Sequence, residues 1–153
     1  MKMKQHRRAG MLLTRISGLF TATNEKVLVQ YGLTPVSWGV LNKIFRKPGQ
    51  STHALAEMCL LTDQSLGQIV AKLAKQGLVE RTPTFGRAII HEITAEGKSV
   101  LDEVEPLLDA SITEFFSDLG AKDLSLLGDL LERVVMGKGS ETLKQSILDF
   151  GKE

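Results

Sequence analysis

Metal binding and nucleophilic catalysis need His, Cys, Asp and Glu at ligand or triad spacing, and this chain does not arrange them so. His6, His53 and His91 are scattered, and the single cysteine, Cys59, has no partner at a zinc-site interval. There is no glycine-rich phosphate loop and no strand-Ser-helix elbow. Asp102, Glu103 and Glu105 cluster in an acidic stretch that reads as a solvated face. No catalytic residue, metal site or cofactor is expected, and the chain reads as a non-enzyme. The spacing that does carry chemistry belongs to amides and ammonium groups. Leu66, Ile69, Val70 and Leu73 make one apolar helical stripe, and Gln64, Gln68, Ala71, Lys72 and Lys75 occupy the opposite side. After Asp63 that side holds no carboxylate. Gln can form paired hydrogen bonds with adenine, and Lys can reach guanine or phosphate, so such a helix suits a DNA major groove.

The neighbouring residues extend this face. Ser65, Gly67 and Ala71 are small enough to allow close approach to a groove wall. Ser51 and Thr62 stand at the starts of two successive predicted helices. Arg81 and Arg87 flank a predicted hairpin turn, Arg81 to hold phosphate and Arg87 to enter a minor groove, where the negative potential attracts guanidinium groups. The candidate DNA-binding set is therefore Ser51, Thr62, Gln64, Ser65, Gln68, Lys72, Lys75, Arg81 and Arg87.

The elements that must position these residues follow from periodicity and punctuation. Apolar spacing predicts a helix over about 9–30, stopped by Tyr31-Gly32. Thr34-Pro35 opens the next, with Val36, Val40, Leu41, Ile44 and Phe45 on its apolar side, and Lys47-Pro48-Gly49 ends it. A short helix runs from Ser51 or Thr52 through Met58, and after the Leu60-Leu61 turn Thr62 caps a helix over about 63–76, stopped by Gly77. Two extended runs around a Pro/Gly turn predict a β-hairpin over 79–82 and 88–93. A long helix follows over about 95–119, kinked at Pro106, then one over about 121–136 broken by Gly137 and Gly139, then a short one over about 140–150. Leu124, Leu127, Leu130, Leu131 and Val134 are expected to face inward. The fold class is mainly α with a small β-hairpin wing: a winged helix-turn-helix at 33–97, and a helical dimerisation region at 5–32 and 98–150.

Charge is also uneven along the chain, with its own dividing point. The formal net charge of +1 splits into +8 over residues 1–94 and −7 over 95–153, as expected if only the first part meets a polyanion. No apolar run approaches the ~18 residues of a membrane span, and Arg15 interrupts any signal-peptide core, so a cytoplasmic protein without membrane contact is expected. Apolar residues along 100–119 and 131–148 exceed what one thin helical layer can bury, which favours a homodimer with two reading helices ~34 Å apart on a palindromic site. Cys59 invites a redox role, but core packing is the preferred reading because no basic residue adjoins it in sequence.

The ordered residues from Leu33-Thr34-Pro35 and Trp38-x-Val40-Leu41, through Leu55-Ala56-Glu57, to Val70-x-x-Leu73-x-x-x-Gly77-Leu78-Val79-Glu80-Arg81 and Ile93-Thr94-x-x-Gly97, resemble the MarR family of winged-helix regulators. The resemblance extends to Arg133. It implies a repressor whose recognition helix is 63–76 and whose wing lies at 81–87, with a small-molecule effector pocket between its two regions. Phe20, Trp38 and Phe45 are the candidate lining residues, although core packing would also explain each. Phe85 replaces the Asp usual before the family's wing-tip arginine, the wing is short, and Gln68 stands where many members have Arg. A winged-helix module that has moved to binding protein instead of DNA is the alternative reading.

Overall fold

Thr34, Ser51, Thr62 and Thr94 each start a helix. In the computed structural model each side-chain oxygen accepts a backbone N–H three residues on, from Ser37, Ala54, Ser65 and Gly97, at 3.0–3.2 Å. The structure describes residues 4–83 and 89–148. The elements are α1 (Gln5–Leu28), α2 (Pro35–Arg46), α3 (Thr52–Met58), α4 (Asp63–Lys75), β1 (Val79–Pro83), β2 (Ile89–Ile93), α5 (Ala95–Phe115), α6 (Ala121–Lys138) and α7 (Glu141–Leu148). The expected class, mainly helical with one antiparallel hairpin, is what is found.

The stops are as local as the starts. At the end of α4, Gly77 takes a φ of +76° and the Leu78 N–H reaches back to the Leu73 carbonyl at 3.0 Å. That is a Schellman closure, in which glycine avoids the steric cost of the left-handed region. The same closure ends α3, but there the left-handed residue is Leu60, with φ +55° and the Leu61 N–H bonded to the Ala56 carbonyl at 2.8 Å. Thr34 and Ser37 form a reciprocal capping box beneath Pro35.

Some boundaries differ from expectation. α1 begins at Gln5, because nothing after Lys4 opposes the helix, and it passes into a 3-10 turn at Val29–Tyr31. α5 stops at Phe115, and Phe116 to Leu119 form a turn in place of a last helical turn. Gly137 does not break α6, which continues to Lys138; one exposed glycine costs a helix only ~1 kcal/mol.

The core lies where the end of α1, together with α2, α3, α4 and α5, meets the wing. Leu28, Val40, Leu41, Ile44, Leu55, Leu66, Val70, Leu73 and Val104 are fully buried there. Truncating such a leucine to alanine typically costs ~2–5 kcal/mol. β1 and β2 pair from Val79↔Ile93 to Pro83↔Ile89, and Ser51 adds a bridge to Ile90 that ties the start of α3 to the wing. α5 leaves the wing at Gly97, where an added methyl would collide with the Leu78 carbonyl oxygen.

α6 is a correction. Leu124, Leu130, Leu131 and Val134 are 41–59% exposed, and no residue of α6 is buried in the single chain. Periodicity identifies an apolar face, but not what covers it.

Candidate nucleic-acid interface

α4 turns its apolar stripe inward: Leu66, Val70 and Leu73 have no exposed surface, and Ile69 is half-buried at its edge. Gln64, Gln68, Ala71, Lys72 and Lys75 are exposed on the other side, with Ser65 and Gly67 half-buried between the two faces. Three contacts fix how this face is presented. The Gln76 amide donates to the Gly32 carbonyl at 3.1 Å, anchoring the far end of α4 to the α1–α2 turn. His53 Nδ1 lies 3.1 and 3.2 Å from the two Asp63 carboxylate oxygens, joining the first turns of α3 and α4. Thr52 Oγ1 and His91 Nε2 are 3.1 Å apart, joining α3 to β2.

Ser51, Thr62 and Ser65 reach the surface at the helix starts, but their hydroxyls also serve the caps. Thr62 Oγ1 lies 2.9 Å from Ser65 Oγ as well as accepting the Ser65 N–H. Arg81 is exposed on β1, opposite His91. Arg87 and Phe85 lie outside the described residues.

The electrostatics divide between surface and interior. The Asp63 hydrogen bond, helped by the charges of Asp63 and Glu57, raises the pKa of His53. Burial, with a smaller contribution from Arg81, lowers that of His91, whose Nδ1 is buried without a hydrogen-bond partner. The sequence indicated neither the His53–Asp63 nor the Thr52–His91 contact, because both depend on the angle between α3 and its neighbours.

Of the candidate effector residues, the structure brings two together. Phe20 and Trp38 line a cavity of about 270 Å³ with Asn24, Leu28, Pro35, Leu108 and Ile112. The Asn24 side-chain oxygen is buried with no hydrogen-bond partner. Phe20 also stacks edge-on against Phe115 at 5.3 Å. Phe45 does not line this cavity and is 39% exposed. It lies on the Trp38 face of α2, but about 10 Å further along the axis.

Cys59 lines a separate open cavity of about 480 Å³ with Lys43, Val36 and Met58. Burial pushes its thiol up, and only the charge of Lys43 opposes this. That direction is opposite to a reactive thiolate's. Among the described residues, no group of three His, Cys, Asp or Glu could hold a metal ion, and no helix is long and apolar enough to cross a membrane.

A short helix, a tight turn, a second helix with an exposed polar face and a following hairpin define a winged helix-turn-helix protein. A sequence profile described as MarR family matches residues 31–87. The regulator MhqR of Bacillus subtilis is 29% identical over 112 residues, 72% of this chain and 77% of that protein. The transcriptional regulator HosA of Escherichia coli is 30% identical over 105 residues, 67% and 78% of the two chains. A MarR-family regulator from Rhodococcus sp. RHA1 superposes with a TM-score of 0.82 at 24% identity, covering 91% of this chain and 100% of that one. The MarR-family protein Rv2887 of Mycobacterium tuberculosis, solved with p-aminosalicylic acid, superposes at 0.68 with 25% identity, covering 82% and 96%. The chain belongs to the MarR family of DNA-binding transcriptional regulators. That class regulates transcription and is not a class of enzymes.

Proposed function

We propose that this regulator is a ligand-responsive repressor that acts as a homodimer on a palindromic operator. The observation that carries the reading is the exposed face of α4, where Gln64, Gln68, Lys72 and Lys75 stand free of carboxylates beyond Asp63. Residues 33–97 would form the DNA-binding lobe, with Ser51, Thr62, Ser65, Arg81 and Arg87 contributing to phosphate and groove contacts. Residues 5–32 and 98–150 would form the dimer lobe. Its support is the unpartnered apolar surface of α1, at Met11, Leu12, Leu13, Ile16 and Leu19, and of α6.

The cavity bounded by Phe20 and Trp38 lies between α1, α2 and α5, where an occupant would bias their relative placement and so the spacing of two reading heads. Its lining residues are mainly apolar, and the side-chain oxygen of Asn24 among them is buried and unpaired. A small aromatic effector carrying one hydroxyl or amine donor suits it, and the aromatic acid bound by Rv2887 is of that size class.

The experiment is an operator footprint followed by binding of single variants. Gln68→Ala and Lys72→Ala are each expected to weaken operator binding by roughly 1–3 kcal/mol for each base-edge interaction removed. Unchanged binding in both variants removes α4 as the reading helix. Adding aromatic acids should release DNA from the wild type, and filling the cavity with Leu108→Trp should blunt that release; a panel that never weakens binding removes the effector role.

A further inference from the structure

We propose that His53 is a positioning residue of the DNA-reading face, holding the Asp63 carboxylate, and that this pair couples duplex binding to the uptake of a proton. The inference rests on α4 being the reading helix. His53 is the second residue of α3 and Asp63 the first of α4, so their contact closes the corner where the two helices begin. Ser51 and Thr62, the two caps, are its neighbours in sequence. Both side chains are open to solvent, His53 at 72% and Asp63 at 58%. Nδ1 is within hydrogen-bond range of both carboxylate oxygens.

Asp63 is the one carboxylate on α4. In the free protein it complements the positive end of the helix dipole. Against a duplex the same carboxylate meets phosphate, and an unpaired negative charge there opposes binding. The imidazolium of His53 cancels that charge, and approaching phosphates stabilise the imidazolium further. A group that binds protons more tightly in the complex makes the complex tighter as pH falls.

The surrounding charges act in the same direction or are engaged elsewhere. Glu57, one turn along α3, also favours the imidazolium, and its carboxylate accepts from Thr142 of α7 at 2.7 Å. On α2, Lys43 donates to Ser146 and Arg46 pairs with Glu105. On α7, Glu141 pairs with Lys144, and on β2 His91 sits against Thr52.

The test uses the full chain and a fluorescent duplex selected by the wild type from a random-sequence pool. Between ~pH 8 and ~pH 6, either side of the ordinary imidazole value, wild-type affinity should rise roughly fivefold to tenfold at fixed salt. His53→Gln should flatten the profile, and Asp63→Asn should flatten it while binding more tightly than wild type at the alkaline end. His53→Arg, permanently charged, should bind at the alkaline end about as tightly as wild type does at the acid end. His6→Gln should keep the wild-type slope. Nuclear magnetic resonance titration of the His53 ring, with and without duplex, reads the same proton without relying on affinity. A His53→Gln slope equal to that of wild type, a pH-independent wild type, or a ring that titrates identically in both states overturns the pair. A wild type that binds no duplex at either pH overturns the reading helix itself, and the pair with it.

Discussion

Leu60 occupies the left-handed position that glycine fills at the end of α4. A branched side chain there costs ~1–2 kcal/mol, and Leu60 recovers little by burial because it is 76% exposed. Leu60→Gly is therefore expected to raise stability by about 1 kcal/mol, read as a higher urea midpoint with unchanged slope. His91 gives a pH prediction of definite sign. Burial and Arg81 hold its folded-state pKa below the ordinary 6.5, so the unfolded chain takes up a proton first as pH falls. The stability contributed by neutral His91 is complete above about pH 6.5 and is lost progressively below it. His91→Phe should reduce that acid loss in urea titrations at matched salt. An equally steep loss in the variant would assign the effect to other groups. His53, whose pKa is raised, works in the opposite sense, its contribution being present at low pH and lost as pH rises.

At the scale of elements, the junction between wing and α5 concentrates several constraints. Thr94 Oγ1 accepts the Gly97 N–H at 3.0 Å and donates to the Gly77 carbonyl at 2.6 Å, while the Thr94 N–H bonds the Leu78 carbonyl at 3.1 Å. One side chain thus caps α5 and latches it to the end of α4. Thr94→Ala removes both side-chain bonds and should cost about 1–2 kcal/mol, while Thr94→Ser should recover most of it. Thermal denaturation of the three proteins checks this; a Ser variant as weak as Ala would mean that the methyl, not the hydroxyl, matters. α3 is held on several sides, by α4, β2 and α7, and its lateral bonds reach as far along the chain as Thr142. A seven-residue helix has little stability of its own, so those neighbours supply its order.

At the scale of the whole molecule, residues 1–94 carry a net charge of +8 and residues 95–153 one of −7, an asymmetry expected if the first part meets a polyanion. Operator affinity should fall with salt at ~0.9 log units per log unit of salt for each phosphate neutralised. A flat response would favour a protein partner over DNA. The proposed dimer places its burden on the exposed apolar side chains of α1, from Met11 to Leu19, and of α6, at Leu124, Leu126, Leu130, Leu131 and Val134. Leu131→Asp, at 44% exposure in the single chain, should leave helix content intact and shift sedimentation to a monomer, with loss of operator affinity. A dimer that persists in this variant would place the interface elsewhere.

The side-chain-capped helix starts and the glycine stop of α4 were legible because they are local, whereas the start of α1 and the ends of α5 and α6 were not. A cap bonds three residues on and a Schellman closure spans six, so Thr34, Thr62 and Gly77 declare themselves locally, and the start of α3 narrows to Ser51 or Thr52. The inward and outward sides of α4 follow from a period of 3.6 residues, and the order of elements is enough to recognise the family. Three things waited for the tertiary structure. The meeting of His53 with Asp63 depends on the angle between α3 and α4, and the placing of Lys43 beside Cys59 on how α2 crosses the end of α3. The cavity that takes Phe20 and Trp38 but omits Phe45 depends on where α1 and α5 cross α2. Sequence determines local hydrogen bonding and which face is apolar; only packing in three dimensions decides which distant side chains meet, because the crossing of two helices is set by every residue between them.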